Sequence, residues 1–407
     1  MSALIGPLSV VKPIHGGVCL AFDDEGTVMI SHAIPGEVVR ARVTRRKGRI
    51  RWAEATEILE ASPDRRAQVW PEAGVGGVGG AELGHVTLPA SRRWKADVIA
   101  DALSRVGSRQ LAEEVGDITV TAAPGDDERE GLHWRSRVEL TVAADGTAGM
   151  HAAASHDVLP IADMPLAASD VLDLNLLGAD SPWRELWQPG QRVRAWAGHV
   201  RVDDAWFDAG RRPVDEPTLA LDVDGDTYAV RGGDFWQAHR LGAAVLRRDV
   251  IEAARGWADG GVLELYCGSG LFTRPLAELA DTAAVLAVEG SESACAQAAV
   301  NLPDGANAEV ECARITGSYV ASLAEPGEGP ALVVLDPPRQ GAGAFVTRAL
   351  VAMAPDRVVY VACDPAALAR DGEVLRQGGY RITQLQCHDL FPYTHHVECV
   401  GVWDRLS

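Results

Sequence analysis

The 407-residue chain has no run of about 18 apolar residues, so it offers no membrane-spanning helix and no membrane partner is expected. Its opening, MSALIGPLSVVKPIHGG, lacks the basic and apolar regions of a signal peptide, and the expected location is the cytoplasm. Cysteine is sparse. Cys19, Cys267, Cys295, Cys312, Cys363, Cys387 and Cys399 form no CxxC pair, and their number is odd. That excludes a disulfide framework and leaves no Cys-rich metal site to expect. Positive charge is also scarce. With 38 Lys and Arg against 57 Asp and Glu, the net charge is −19, which disfavours wholesale binding of nucleic acid. One segment departs from this. Between Arg40 and Arg51, RARVTRRKGRIR carries seven basic residues and no acid. It is either a solvated face or a phosphate-contacting patch.

What is present falls into three stretches. Residues 1–62 read as short strands (GGVCLAF, GTVMISHAI, GEVVRARVTRR) broken by DDEG and PGE turns, which suggests a five-stranded OB-like barrel closed by SPDRR at 62–66. Residues 63–230 read as an antiparallel α+β central domain. Within it, 71–86 is glycine-rich, 91–107 has helical spacing with Gly107 as expected C-cap, and RSRVELTVAADGTAGM is a hairpin with an Asp-Gly turn. Trp183, Trp187, Trp196 and Trp206 are expected in its packing rather than on a base-stacking surface. From 231 to 407 the pattern becomes strand, loop, helix, repeated, with strands VLELY, AVLAVE, LVVLD and VVYVAC. Such alternation predicts a parallel, Rossmann-like α/β sheet that binds ligands beyond its carboxyl strand ends.

Those ends carry the informative residues. In ELYCGSGLFT, Gly268 and Gly270 let the backbone turn sharply against a ligand, but Thr273 stands where a dinucleotide fingerprint has its third glycine. Glu289 ends the next strand, nineteen residues after Gly270, and suits both hydroxyls of a ribose. NAD and S-adenosylmethionine both fit this much, and the incomplete glycine pattern favours the second. Asp336 opens the stiff turn DPPRQG. Cys363 closes the fourth strand before a proline turn, where a nucleophile belongs, although a free cysteine is commonly just a buried small side chain.

ELYCGSGLFT, VLDPPRQGA, VVYVACDPAALARD and FPYTHHVECV, in this order and spacing, resemble the RNA uracil-5 methyltransferase family; FWQAH at 235–239 is similar to its FFQ-type segment. GGVCLAFDDEGTVMISHAIPGEVVRARV resembles its TRAM domain, an RNA-binding barrel. The resemblance implies a class I methyltransferase domain that uses S-adenosylmethionine. It also implies an RNA substrate (tRNA or ribosomal RNA), a monomer, and roles for particular residues. Cys363 is implied as the nucleophile and Glu398 as the general base. Gln237, Tyr266, Glu289 and Asp336 are implied to line the cofactor and uracil pocket, with Gly268, Gly270 and Leu271 in the cofactor loop. Thiolate addition at C6 activates C5 of uracil, and the C5 proton must then leave to a base.

The chain departs from the family at several points. Ala362-Cys363-Asp364-Pro365 replaces SCNP, and a carboxylate beside the thiol would disfavour the thiolate. Leu271 stands where relatives often carry a cofactor-contacting asparagine. Some relatives hold a 4Fe–4S cluster on a CxxxxxCGGC segment and a distant cysteine. Here Val78, Ala81 and Met164 occupy three of those positions, so no iron–sulfur cluster is expected. The competing readings are a methyltransferase of another specificity, which needs no Cys363–Glu398 pair, and a non-catalytic RNA-binding relative.

Overall fold

The computed structural model describes residues 3–153 and 155–406. The chain forms two compact units, one of residues 1–98, 124–215 and 391–396, the other of 99–123, 216–390 and 397–407. Residues 99–123 and 216–230, expected within the central domain, therefore fall in the second unit.

In the first unit, strands Leu4–Ile14, Val18–Asp23, Gly26–Ser31, Val38–Lys47 and Ile50–Glu60 close into a barrel, the architecture expected of residues 1–62. Alternation builds it: Cys19, Ala21, Val28, Ile30, Val39, Ala41, Ala53 and Ala55 point inward and are buried. The SPDRR segment does close it. Arg65 forks onto buried Glu37 with bonds of 2.6 and 2.7 Å, and Glu37 also accepts the Ser62 and Ile34 amides. The alternation stops at Thr44. From there to Ile50 every residue is exposed, so the tip of the last hairpin projects as a short arm, whereas Arg51 turns back into the barrel, buried on Asp23 and Glu25. Arg45 lies 3.9 Å over the Trp52 ring.

The same unit holds a seven-stranded antiparallel sheet. One face, with Val138, Leu140, Val193 and Val200, packs into a core with Trp70, Trp134, Trp183 and Trp187. Trp196 and Trp206 are also buried, under Arg137 and Arg201 respectively. All four tryptophans named from the sequence are thus packing residues. The glycine-rich stretch 71–86 has only one short helical turn, Pro71–Ala73, and its Val78 and Ala81 join this core beside Met164.

The helix expected at 91–107 runs from Leu88 to Ala102 and ends in a wider π-type turn, Leu103–Gly107. Gly107 is not a left-handed cap. A Cβ there would sit 2.9 Å from Leu111 and 3.1 Å from the Ala369 carbonyl, so close packing demands glycine.

The second unit is built on an eight-stranded sheet. Its order is Ala308–Cys312, Val285–Glu289, Val262–Leu265, Leu332–Leu335, Arg357–Ala362, Glu398–Arg405, Tyr380–Asp389 and Val120–Ala122. The first five strands are parallel, with crossover helices between them; Val262–Leu265, Leu332–Leu335 and Arg357–Ala362 are buried almost throughout, and the edge strand Ala308–Cys312 is half-exposed. The last chain segment inserts antiparallel beside Arg357–Ala362. The strand order reverses between Val262–Leu265 and Leu332–Leu335, which is the switch point where such sheets bind ligands.

Candidate active site

Each of the four sequence-predicted strands stops at the carboxyl edge of this sheet. Leu265 is in register with both Leu335 and Val288, so the segments beginning at Tyr266 and Asp336, and the strand end at Glu289, lie along one rim. Ala362 pairs with Cys399 in the antiparallel neighbour. Continuing that register by one residue sets Cys363 against Glu398. Residues 35 positions apart thereby face each other, and only strand pairing brings them together.

The cofactor loop is a strained turn. Tyr266 takes φ +63°, Gly268 +55° and Gly270 +84°. Gly268 faces open space where a Cβ would stand, whereas at Gly270 a Cβ would come within 3.2 Å of Ala298. So one glycine leaves room for a ligand and the other lets the loop approach its helix. Glu289 braces the loop. It accepts the Gly268 amide at 3.1 Å and the Gly290 and Ser291 amides at 2.7 and 2.8 Å. Asn301 clamps it from behind, donating to the Ser269 carbonyl at 2.8 Å and pairing with both backbone groups of Ala229. Leu271 is buried. Its carbonyl accepts the Tyr228 hydroxyl at 3.2 Å, and its side chain supplies packing only. Gln237 is buried as well, and no hydrogen bond within the described residues holds its amide.

The site is rich in acids that the protein does not neutralise. Glu264, in the strand two residues before Tyr266, is 1% exposed, and neither carboxyl oxygen has a hydrogen bond among the described residues. Burial pushes it up to about 8; the neighbouring Thr273 hydroxyl pulls it down, and the Asp336 and Glu289 carboxylates push it further up. Burial likewise raises Asp336 to about 7. Glu398 is raised well above the usual carboxylate range by burial and by Asp336, and Arg339 pulls it back. The Cys363 thiol is pushed up to about 12 by burial, then by Glu398 and Asp336, against Arg339. Arg339 is therefore the cation common to the thiol and its facing acid. An orphaned buried carboxyl, an open glycine turn and a strand-end acid form a donor set that fits a ribose and a cationic group.

The Asp364 carboxylate accepts the Ala367 amide at 2.8 Å and caps the helix Pro365–Gln377. Among the acids that raise the thiol, Glu398 and Asp336 contribute most. Glu264, Asn301 and Arg339 were not singled out from the sequence. For Glu264 the signal was there: a charged residue inside an apolar parallel strand. Among the described residues no group of three His, Cys, Asp or Glu side chains could hold a metal ion.

A doubly wound sheet with a glycine turn, an acid ending the second strand and a thiol following the fifth has the architecture of a class I methyltransferase. A profile of the family described as tRNA (Uracil-5-)-methyltransferase matches residues 330–405. An uncharacterized RNA methyltransferase of Streptomyces avermitilis is 38% identical, over 99% of this chain and 98% of its own length. The 23S rRNA (uracil(1939)-C(5))-methyltransferase of Pseudomonas putida is 31% identical, over 98% of this chain and 93% of its own. The fold matches that of a Pyrococcus abyssi tRNA (uracil-54, C5)-methyltransferase solved with S-adenosyl-L-homocysteine. The TM-score is 0.71 at 20% identity, over 97% of this chain and all of that one. The chain belongs to the family of S-adenosylmethionine-dependent RNA (uracil-5-)methyltransferases.

Proposed function

We propose that the protein methylates carbon 5 of a uridine in RNA through a covalent bond between Cys363 and carbon 6 of the base. The observation that carries this reading is the strand register that sets Cys363 against Glu398 at the switch-point rim. When bound, S-adenosylmethionine supplies a methyl group on a cationic sulfur, an electrophile for an electron-rich carbon. Glu289 and the Gly268–Gly270 turn would hold its nucleoside, with Tyr266, Leu271 and Asp336 around it and Gln237 and Asp336 at the uracil.

The protein's own steps follow from the groups present. Cys363 gives up its proton and forms a bond to C6, and the electron pair of the C5–C6 double bond moves onto C5 and O4. After C5 has gained its methyl, Glu398 takes the C5 proton. The electrons left behind re-form the double bond and expel the Cys363 thiolate. Arg339 lowers the cost of a thiolate beside two acids. The uridine must leave its stack to reach this rim.

The barrel arm supports RNA as the partner. Of its seven cations Arg40, Arg46 and Arg51 pair with Glu57, Glu25 and Asp23, which leaves exposed Arg42, Arg45, Lys47 and Arg49 as a local patch for phosphate, with Arg45 and Trp52 as a stacked pair. Ribosomal RNA is the first substrate to test, because relatives 31% and 30% identical bear that name. The tRNA match, at 20%, speaks for fold. The same reading places the enzyme in the cytoplasm as a monomer, and without an iron–sulfur cluster.

The test is a denaturing gel with labelled RNA in which uridine is replaced by 5-fluorouridine. Fluorine cannot leave as a cation, so the adduct should persist. A shifted band that needs both S-adenosylmethionine and Cys363 is expected. No band with an RNA that is methylated in its ordinary form, or a band that survives Cys363→Ala, would overturn the mechanism.

A further inference from the structure

We propose that Tyr360 and Asp371 are positioning residues for this reaction: together they hold the Asp336–Gly341 turn so that Arg339 stays beside the nucleophilic thiol. The inference rests on the role proposed for Cys363.

The turn needs an anchor. It joins the strand Leu332–Leu335 to the helix Gly343–Met353; the Asp336 amide holds its near end to the Leu265 carbonyl at 3.3 Å, and Pro337 and Pro338 offer no amide beyond that. Its own internal bond runs from the Gly341 amide to the Pro338 carbonyl, at 2.7 Å. Beyond that, the far end is fastened to two buried side chains. Asp371 is 0% exposed and Tyr360 1%. The Tyr360 hydroxyl accepts the Ala342 amide at 3.0 Å and donates to Asp371 Oδ2 at 2.7 Å. The same Oδ2 accepts the Gly343 amide at 3.0 Å. Arg370 completes the fastening, donating to Asp371 Oδ1 at 3.2 Å and to the Gln340 carbonyl at 2.5 Å.

The fit at this point is close. A Cβ at Gly341 would lie 2.5 Å from Asp371 Oδ2, so the turn rests directly on the carboxylate. A fully buried acid is costly unless its lone pairs are used, and here three different groups use them, two of which belong to or touch the turn. The arrangement does more than tie a helix to a sheet. Three of its bonds end on backbone atoms of residues 340, 342 and 343, just downstream of Arg339. Leu335 is in register with Tyr360, so the turn leaves the sheet beside the strand that ends at Cys363, and Arg339 within it is the cation that favours ionisation of both Cys363 and Glu398. A turn released by even an ångström would leave the thiol facing two acids without compensation.

The least disruptive probe is Tyr360→Phe, which removes one oxygen and keeps the ring against Trp403. Two readouts are needed. The first is the rate of Cys363 alkylation by iodoacetamide at pH 8, followed on the Cys363 peptide by mass spectrometry, and it needs no RNA. The second is kcat against KM for S-adenosylmethionine. We expect alkylation at least threefold slower and kcat about tenfold lower, with that KM and the calorimetric Kd within twofold. Asp371→Ala should be slower still, and Asp371→Asn, which keeps an acceptor for Tyr360 and Gly343, should recover part of the loss. Wild-type alkylation rates in Tyr360→Phe would overturn the proposal. So would losses that track the unfolded fraction in thermal melts. If the wild type forms no adduct on fluorinated RNA while Tyr360→Phe still slows alkylation, the covalent mechanism fails and the positioning of the thiol stands.

Discussion

Two glycine-rich turns in this chain have opposite interiors. The turn at Gly268–Gly270 lies among acids and open space: Glu264 has no hydrogen bond to either carboxyl oxygen among the described residues, Glu289 stands at the strand end, and Gly268 faces an opening. The turn at Gly74–Gly84 is filled with apolar side chains. Ala73, Val78, Ala81 and Leu83 are buried, with Trp70 and Met164 among them. Some relatives put cluster-binding cysteines here. In this chain Glu72, six residues before Val78, makes the connection instead. Its carboxylate accepts the Ala162 and Asp163 amides at 2.9 and 3.3 Å and the Trp70 indole at 3.1 Å. Glycine content therefore says only that the backbone turns tightly. Whether a ligand belongs there is told by the polar groups left without partners.

That contrast can be broken from either side. The largest effect is expected on the functional side. Cys363→Ala should reduce turnover to background with S-adenosylmethionine affinity unchanged. Glu398→Gln should lower turnover by about 10²–10⁴-fold, the usual worth of a general base, while adduct accumulates on ordinary RNA. Both wild-type groups must lose protons to act and both are pushed upward, so turnover should rise steadily from pH 6 to 9. A profile that falls across this range would assign the base elsewhere.

On the structural side, Ala81→Asp places an unpaired charge where the side chain is 0% exposed. Urea unfolding should show a loss of roughly 3–5 kcal/mol, the scale of an uncompensated buried charge. A mild loss would mean that the loop is looser than its packing. Metal analysis of the purified protein should find no stoichiometric iron, and a visible charge-transfer band would overturn that reading.

Glu289→Ala should weaken S-adenosylmethionine binding by about 1.5–3 kcal/mol, measured by calorimetry. It should also lower the melting temperature, because three backbone amides lose their acceptor. Unchanged affinity would show that the turn serves another ligand. The smallest effect concerns Glu264. Its folded pKa lies near 8, against an ordinary value of 4.5, so the folded state binds the extra proton. Its contribution is complete below pH 4.5 and is lost as pH rises towards 8, with a slope of at most about 1.4 kcal/mol per pH unit. Glu264→Gln should flatten that part of the stability profile. An identical slope in the variant would mean that the carboxyl finds a partner in solution.

Much of this was legible in the sequence because it is local. Alternating burial in 1–60 and apolar strands after 231 are periodicities, and periodicity fixes which face is buried. The glycine turn and the two-proline turn are likewise short segments whose conformations their own residues dictate. Misreadings arose where a neighbour distant in sequence decided the outcome. Gly107 is glycine because Ala369 is close, not because a helix must be capped.

From its own residues the chain determined its architecture, its cofactor turn and the position of Cys363 at a strand end, since these follow from backbone preference and hydrophobic pattern. Tertiary structure alone decided three further matters. It set Glu398 against Cys363, by inserting the last strand antiparallel beside the fifth. It left Glu264 buried with no hydrogen bond to its carboxyl oxygens among the described residues. It also put the Tyr360 hydroxyl and the Asp371 carboxylate under the 340–343 backbone. Each of these depends on strand register or packing across many residues, and pairings of that kind are chosen by the fold's total burial and hydrogen bonding, which no local window contains.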